Sequence, residues 1–335
     1  ERIRVFTRAE IRSLDGYIGN FRTRIAANGK EEELSHGVII VASGAREYSP
    51  EEYLHGKHER VITQKKLEEK LAGGKSTSSE LEHVVMIQCV GSRTRERPWC
   101  SKICCAAAIK NALKIKELHP ASNIYIFYKD IRTYGLGEEF FSRARREGIL
   151  FIHYDDDSRP EVTEEGGSLR VTAFDALLGE RIRIHPSLIV LSAAVVPGAN
   201  EGISRLLKVP LNPEGFFQEA HVKLRPVDFA TDGIYLCGLA HSPKPIEESI
   251  CQARAAAARA SIPLARGHVM VEPIVSSVDP VKCFGCGICE YLCPYGSIKL
   301  VATESGEKAR TVSASCKGCG ICASKCPRQA IAMGG

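Results

Sequence analysis

In the central part of the chain, short unbroken apolar runs alternate with stretches whose apolar residues return every three or four positions. The segments "HVVMIQCV", "NIYIFYKD" and "ILFIHYD" predict strands; between them "CSKICCAAAIKNALKIKEL" and "EEFFSRARREG" predict helices, the second closed by its glycine. Strand, helix, strand, helix, strand implies a parallel sheet with right-handed crossovers. A hairpin or three-stranded meander follows, and Leu188–Ser192 returns as a further strand. Toward the amino end, "IRVFT" and "YIGNFRTRIAANGKEEELSHGVIIVASGA" predict short strands between turns. The last of these, Val38–Val41, reads as a buried parallel strand running into a tight turn at Ala42, Ser43 and Gly44. Residues 51–80 are polar and broken by "AGGKSTSSE", which reads as a linker and puts a boundary near residue 82. Further on, "TDGIYLCGLAHSPKPIEESICQARAAAARA" predicts a strand, a turn and an alanine-rich helix able to approach a sheet or a cofactor closely. From about residue 266 the character changes: the tail is short, rich in glycine and cysteine, and duplicated.

With 335 residues, 44% of them hydrophobic, the chain can bury a full core, and two or three domains are expected. No stretch approaches the roughly 18 apolar residues of a membrane-spanning helix, and charges run through the first thirty residues where a signal peptide would be apolar. The expectation is a soluble, cytoplasmic protein without membrane insertion. Because Glu1 already reads as the middle of a fold, a segment is expected upstream of it. Fourteen cysteines in a reducing compartment point to ligands or catalysts more than to disulfides. The formal charge of +5 counts every thiol as neutral; three iron–sulfur clusters would bring it to roughly −1. Nucleic acid is thereby excluded as a partner on charge grounds.

Eight of the cysteines lie in "CFGCGICEYLCP" and "CKGCGICASKCP". In each run three cysteines are spaced by two residues, a fourth follows three residues later, and proline comes next. Such a loop wraps one cubane, while the fourth cysteine reaches the neighbouring one. Cys283, Cys286, Cys289 and Cys326 are expected to hold one [4Fe–4S] cluster; Cys316, Cys319, Cys322 and Cys293 the second. Zinc also accepts four thiolates, but its structural sites use two separated pairs. Residues 275–333 resemble the two-cluster bacterial ferredoxin, a module that moves single electrons.

A second block, "CVGSRTRERPWCSKICC", places Cys89 at a strand end and Cys100, Cys104 and Cys105 at the opening of a helix. There, backbone amides and the helix dipole favour thiolates and an anionic cluster. Four ligands could converge; equally, adjacent Cys104 and Cys105 point about 100° apart on a helix and could be ordinary buried thiols. For Arg93, Arg95, Arg97 and Trp99 a solvated loop is the default reading, with shielding of a cluster as the other. In a dinucleotide-binding unit this same turn would carry the glycine fingerprint for a pyrophosphate. Cysteines stand in its place.

Together with "YKDIRTYG", "YLCGLAHSPKPIEESICQARAAAARA" and the two ferredoxin runs, this block resembles the A subunit of heterodisulfide reductase over nearly the whole chain. The resemblance implies an α/β fold: a thioredoxin-reductase-like flavoprotein body of two dinucleotide domains, with a C-terminal α+β ferredoxin domain carrying two clusters. It divides the chain into a first FAD-domain part (1–82), a nicotinamide-domain-like unit carrying the cysteine block (83–198), a second FAD-domain part (199–265) and the ferredoxin domain (266–335). It further implies a third [4Fe–4S] cluster on Cys89, Cys100, Cys104 and Cys105. FAD is implied beside Ala42, Ser43 and Gly44 and beside Cys237, Gly238 and Leu239, with Gln252 and Ala253 opposite and His241 nearby. Leu239 departs from the aspartate common at its position. Cys251, on the alanine-rich helix, reads as core packing.

The implied role is an electron-distributing, flavin-based bifurcating oxidoreductase component, as in methanogenesis, needing no catalytic nucleophile or acid–base pair. Implied partners are disulfide-reducing and iron–sulfur subunits, a hydrogenase- or formate-dehydrogenase-linked subunit, and ferredoxin, in a dimer within a larger complex. Rival readings are a pyridine-nucleotide flavoprotein with a ferredoxin tail, similar to the small subunit of glutamate synthase; a flavin-free electron carrier; and a subunit of a quinone-linked complex.

Overall fold

The computed structural model describes residues 3–74, 77–270 and 272–334, and divides into two compact units. Residues 45–196 with 243–245 form one unit; residues 1–44, 197–242 and 246–335 form the other.

The first unit is built on five strands in the order Val61–Thr63, Leu188–Ala193, His83–Val90, Asn123–Tyr128, Leu150–His153. All neighbours pair in parallel. Val84 to Val90 are buried without a break, because both faces of the sheet are covered. On one face lie the helices Gln64–Ala72, Cys104–Leu118 and Gly137–Arg146, closing over Met86, Ile109, Ile115 and Ile126. On the other lies the antiparallel meander Glu161–Glu165, Ser168–Asp175, Glu180–Ile184, closing over Ile87, Phe127, Val171 and Leu191. Each of these aliphatic or aromatic side chains contributes roughly 1.5–3 kcal/mol by leaving water.

Three expectations need correction. The polar stretch ahead of the expected linker is structured: Val61–Thr63 is an edge strand of the sheet, and Thr63 caps the helix Gln64–Ala72 by accepting the Lys66 N–H at 3.4 Å. A three-residue strand is too short to show a period, yet pairing with Leu188–Ala193 draws it into this unit. The division consequently falls at residues 44/45 and not at 82. Lys75 and Ser76, within the supposed linker, lie outside the described residues. Second, Ile3–Thr7 forms no strand; the first is Ala9–Asp15, and Ile3 and Val5 are exposed. Third, the helix begins at Cys104, so Cys100 precedes it in the loop.

The second unit contains the antiparallel meander Ala9–Asp15, Phe21–Ala27, Lys30–His36 and the parallel pair Ile39–Val41 and Ile234–Leu236. Val41 is buried as expected of that strand, but Ile40 is exposed. Ile18, Phe21, Phe217, Phe229 and Leu236 form the core. From Ile246 to Arg266 runs the alanine-rich helix, burying Ala256 and Ala260. Cys251 is exposed, contrary to the core-packing reading: five residues before Ala256, it sits about 140° away around the helix.

The tail pairs Val275–Val278 with Ile331–Gly334 and Ile298–Thr303 with Gly306–Thr311. Between them come the short helices Ile288–Leu292 and Ile321–Ser324. Duplication is visible in its backbone. Gly285 and Gly318, at equivalent positions, have φ of +76° and +62°, and a Cβ there would meet the carbonyl oxygen of Glu307 at 2.4 Å or of Ile274 at 2.6 Å. Only glycine lets the cysteine loops lie this close to the strands.

Candidate metal centres and cofactor turn

Two cavities in the tail gather the eight cysteines. One, of about 350 Å³, is lined by Cys283, Cys286 and Cys289 from the first run and by Cys326 from the second. The other, of about 330 Å³, is lined by Cys316, Cys319 and Cys322 from the second run and by Cys293 from the first. Around the thiols stand Ile288, Leu300 and Ile331 in one and Ile298, Ile321 and Met333 in the other. Backbone amides point at the sulfurs: Ser297 N–H donates to Cys293 Sγ at 3.2 Å, Ala330 N–H to Cys326 Sγ at 3.3 Å and Ala309 N–H to Cys283 Sγ at 3.4 Å. The first two again occupy equivalent places, four residues after the fourth cysteine of each run.

Burial pushes the Cys289 and Cys322 thiols up from their ordinary value. Four thiols spread around a volume, with amides directed at them, fit a polynuclear cluster better than zinc.

The Cys89 block lies in the first unit. Cys89, Cys104 and Cys105 are buried and Cys100 half-buried. Cys89 and Cys104 each lie within electrostatic reach of the other three thiols: burial, then the neighbouring Cys105, raises the Cys89 thiol, while Arg93 opposes this. Cys104 is hydrogen-bonded to Cys105, which with burial holds its own thiol well up. Cys105 is shifted down by that bond from Cys104 and, after it, by the Arg132 backbone N–H and the Arg132 and Arg93 charges. So the thiols of adjacent residues meet at the first turn of the helix, which has no side-chain cap. Arg93 Nη1 and both amide atoms of Gln88 are buried without a hydrogen-bond partner. Arg93, bonded to the Cys89 thiol with Nη1 still unpaired, is a buried donor suited to an anionic cluster with acceptor sulfides.

Arg95 is exposed, as a solvated loop predicts, but Arg93, Arg97 and Trp99 are held against the unit. Arg93 is paired with Asp130 at 2.7 Å; Arg97 lies over the Tyr48 ring and donates to Gly91 O at 2.6 Å; Trp99 Nε1–H donates to Val195 O at 2.9 Å. Gly91 is held against Tyr48, where a Cβ would come within 2.3 Å of the ring. No helix starts until Cys104, so the turn lacks the strand-to-helix geometry that seats a pyrophosphate. Gln88 was the legible clue that sequence reasoning missed, a polar residue inside an otherwise apolar strand; Asp130 and Arg132 carried no such signal.

The residues expected near a flavin come together at one sheet end. Ile39–Val41 and Ile234–Leu236 pair in parallel with Val41 opposite Leu236, and Cys237 N–H donates to Val41 O at 3.1 Å. Ala42-Ser43-Gly44 and Cys237-Gly238-Leu239 therefore leave the carboxyl ends of adjacent strands, the usual place for a ligand in such a sheet. Gln252 Oε1 accepts the Gly238 N–H at 2.8 Å, and its Nε2 faces His241 Nδ1 at 2.7 Å. His241 Nε2 lies 2.9 Å from Glu219, a residue that no motif in the sequence marks. Ala253, one position on, is exposed.

Residues 276–333 match the family described as a 4Fe-4S dicluster domain. Over 291 residues the chain is 45% identical to an iron-sulfur A subunit of the CoB–CoM heterodisulfide reductase of Methanopyrus kandleri, a match covering 81% of this chain and 43% of that protein. It is 39% identical over 290 residues to the A subunit of the H(2):CoB-CoM heterodisulfide,ferredoxin reductase of Methanothermobacter thermautotrophicus, covering 81% and 43%. A looser likeness reaches the thioredoxin reductase of Lactococcus lactis, at 17% identity and a TM-score of 0.49, covering 77% of this chain and 75% of that one. The class is thus an iron–sulfur redox protein, a [4Fe–4S] dicluster domain on an α/β body. Over the matched region the chain is similar to the A subunits of heterodisulfide reductase, and it spans less than half the length of those curated relatives. Among the described residues no helix is long and apolar enough to cross a membrane.

Proposed function

We propose that this chain is the electron-distributing part of a heterodisulfide-reductase-type oxidoreductase, passing electrons between FAD and [4Fe–4S] clusters toward ferredoxin and a disulfide-reducing partner subunit. The observation that carries this reading is the crossed ligand set: each tail cavity takes three thiols from one run and the fourth from the other. Clusters bound there would supply one-electron steps, and FAD the junction between electron pairs and single electrons. The chain's own part is to hold and tune. The eight tail cysteines grip two clusters, with amides on Cys283, Cys293 and Cys326 favouring the reduced forms. Cys89, Cys100, Cys104 and Cys105 would hold a third, with Arg93 as a donor to it. Gly44, Gly238 and the Gln252–His241–Glu219 chain would shape the flavin side of the body.

Bifurcation and a dimer within a larger complex belong to the same proposal, as do hydrogenase- or formate-linked partners, for which relatives named for hydrogen and formate speak. The pyridine-nucleotide rival finds no support at the Cys89 turn. The test is the iron, acid-labile sulfide and flavin content of full-length protein prepared without oxygen. About twelve irons per chain over this region support three clusters, about eight retire the Cys89 block, and colourless zinc-bearing material would sink the proposal.

A further inference from the structure

Duplication makes the two tail cavities equivalent, but the rest of their unit does not treat them alike. A separate hollow of about 310 Å³ lies between tail and body, lined by Tyr17 and Asp232 on the body side and by Tyr295, Ala314, Ser315 and Lys317 on the tail side. Each of those four tail residues is within two positions of Cys293 or Cys316, and none is that close to Cys283, Cys286, Cys289 or Cys326.

Lys317 follows Cys316 directly and forms an ion pair with Asp232, the two side chains being only 22% and 28% exposed. Arg225 reaches both Asp232 and Asp228 at 3.6 Å, and Arg259, on the alanine-rich helix, binds the buried Asp228 at 3.0 Å. A line of alternating charges thus runs from that helix to the Cys316 loop. A second tie, Lys299 to Asp15 at 2.5 Å, is more exposed. Partly exposed ion pairs add little to stability. Beside a cluster, however, a fixed charge acts on its potential, because reduction adds one negative charge nearby.

We propose that the Cys293, Cys316, Cys319 and Cys322 cavity is the inner of the two, seated on the body, and that Lys317, held by Asp232, is a positioning residue that sets the reduction potential of that cluster. The other cavity is left as the outward end of the pair. This rests on the two-cluster reading above.

The experiment is a redox titration of the intact complex followed by electron paramagnetic resonance. Lys317→Met and Asp232→Asn both break the ion pair but leave opposite charges. Lys317→Met should move one cluster wave to lower potential and Asp232→Asn should move the same wave to higher potential, with the other wave in place. Lys317→Arg should keep the wild-type value. Arg328→Gln, at the lining of the other cavity, should move the other wave. Shifts of the same sign in both variants would show a broken seat without charge tuning and overturn the inference. So would unmoved waves, or a shift of the wave that Arg328→Gln moves. If Lys317→Met does not assemble, a rise in Asp232→Asn beside an unchanged wave in Lys317→Arg still decides. Wild-type material without two titrating clusters would instead sink the two-cluster reading itself.

Discussion

Cys89 sits at the end of its strand with φ of +61°, a conformation that costs a side-chain-bearing residue about 1–3 kcal/mol. Strain of this kind persists where the surroundings impose it, and here Arg93, at φ +56°, and Gly91, closed against Tyr48, complete the turn. In the tail, Gln329 at φ +49° apart, the same backbone region is taken by glycines among the described residues. Gly285→Ala should lower the unfolding midpoint of the tail by the equivalent of about 1–3 kcal/mol or more, since it combines left-handed strain with a backbone clash. Gly306→Ala, at φ +95° with open space around it, should cost only the strain, about 1–2 kcal/mol. Equal effects in urea unfolding would contradict the close-approach argument. Asp156 offers a pH test. Its hydrogen bond from Lys129, then that from Arg159, holds the carboxyl below its ordinary 3.8. A depressed carboxyl contributes stability that is present above 3.8 and lost as pH falls through the shifted value. Asp156→Asn should therefore be less stable than wild type at neutral pH, with the gap closing in acid. A gap that persists at pH values well below 3.8 would exclude this linkage.

At the scale of elements, legibility followed length. His83–Val90 could be read from its apolar run, and the meander and the strand beginning at Leu188 from their spacing, because each carries enough residues to show a pattern. Val61–Thr63 could not, since three residues have no period and the strand exists through its partner alone. The cysteine runs were legible for another reason: loop, glycine turn and helix start lie within twelve residues, so the geometry is local. What they share across the tail has a consequence for mutation. Cys326→Ala should remove the cluster of the first run, not that of its own, leaving the Cys293, Cys316, Cys319 and Cys322 set loaded. Loss of about four irons with the wave shifted by Asp232→Asn intact is the expected result; loss of that wave would mean uncrossed ligands.

For the whole molecule, charge depends on cofactor content. Without clusters the chain carries a formal +5, and with three it falls to roughly −1. Loaded protein should elute earlier from a cation exchanger than the stripped form at neutral pH, and equal retention would argue against three clusters. By itself the amino-acid sequence determined what short-range sterics and hydrogen bonding control: the cysteine loops with their obligatory glycines, the long buried strand and the alanine-rich helix. Tertiary structure alone decided what brings Asp130 to Arg93 and Arg132 to Cys105, what draws Val61–Thr63 into the sheet, and which tail cavity meets Asp232. Those partners stand far apart in the chain or belong to no repeating pattern. Their meeting is set by how the units bury their apolar faces, which no local stretch of residues encodes.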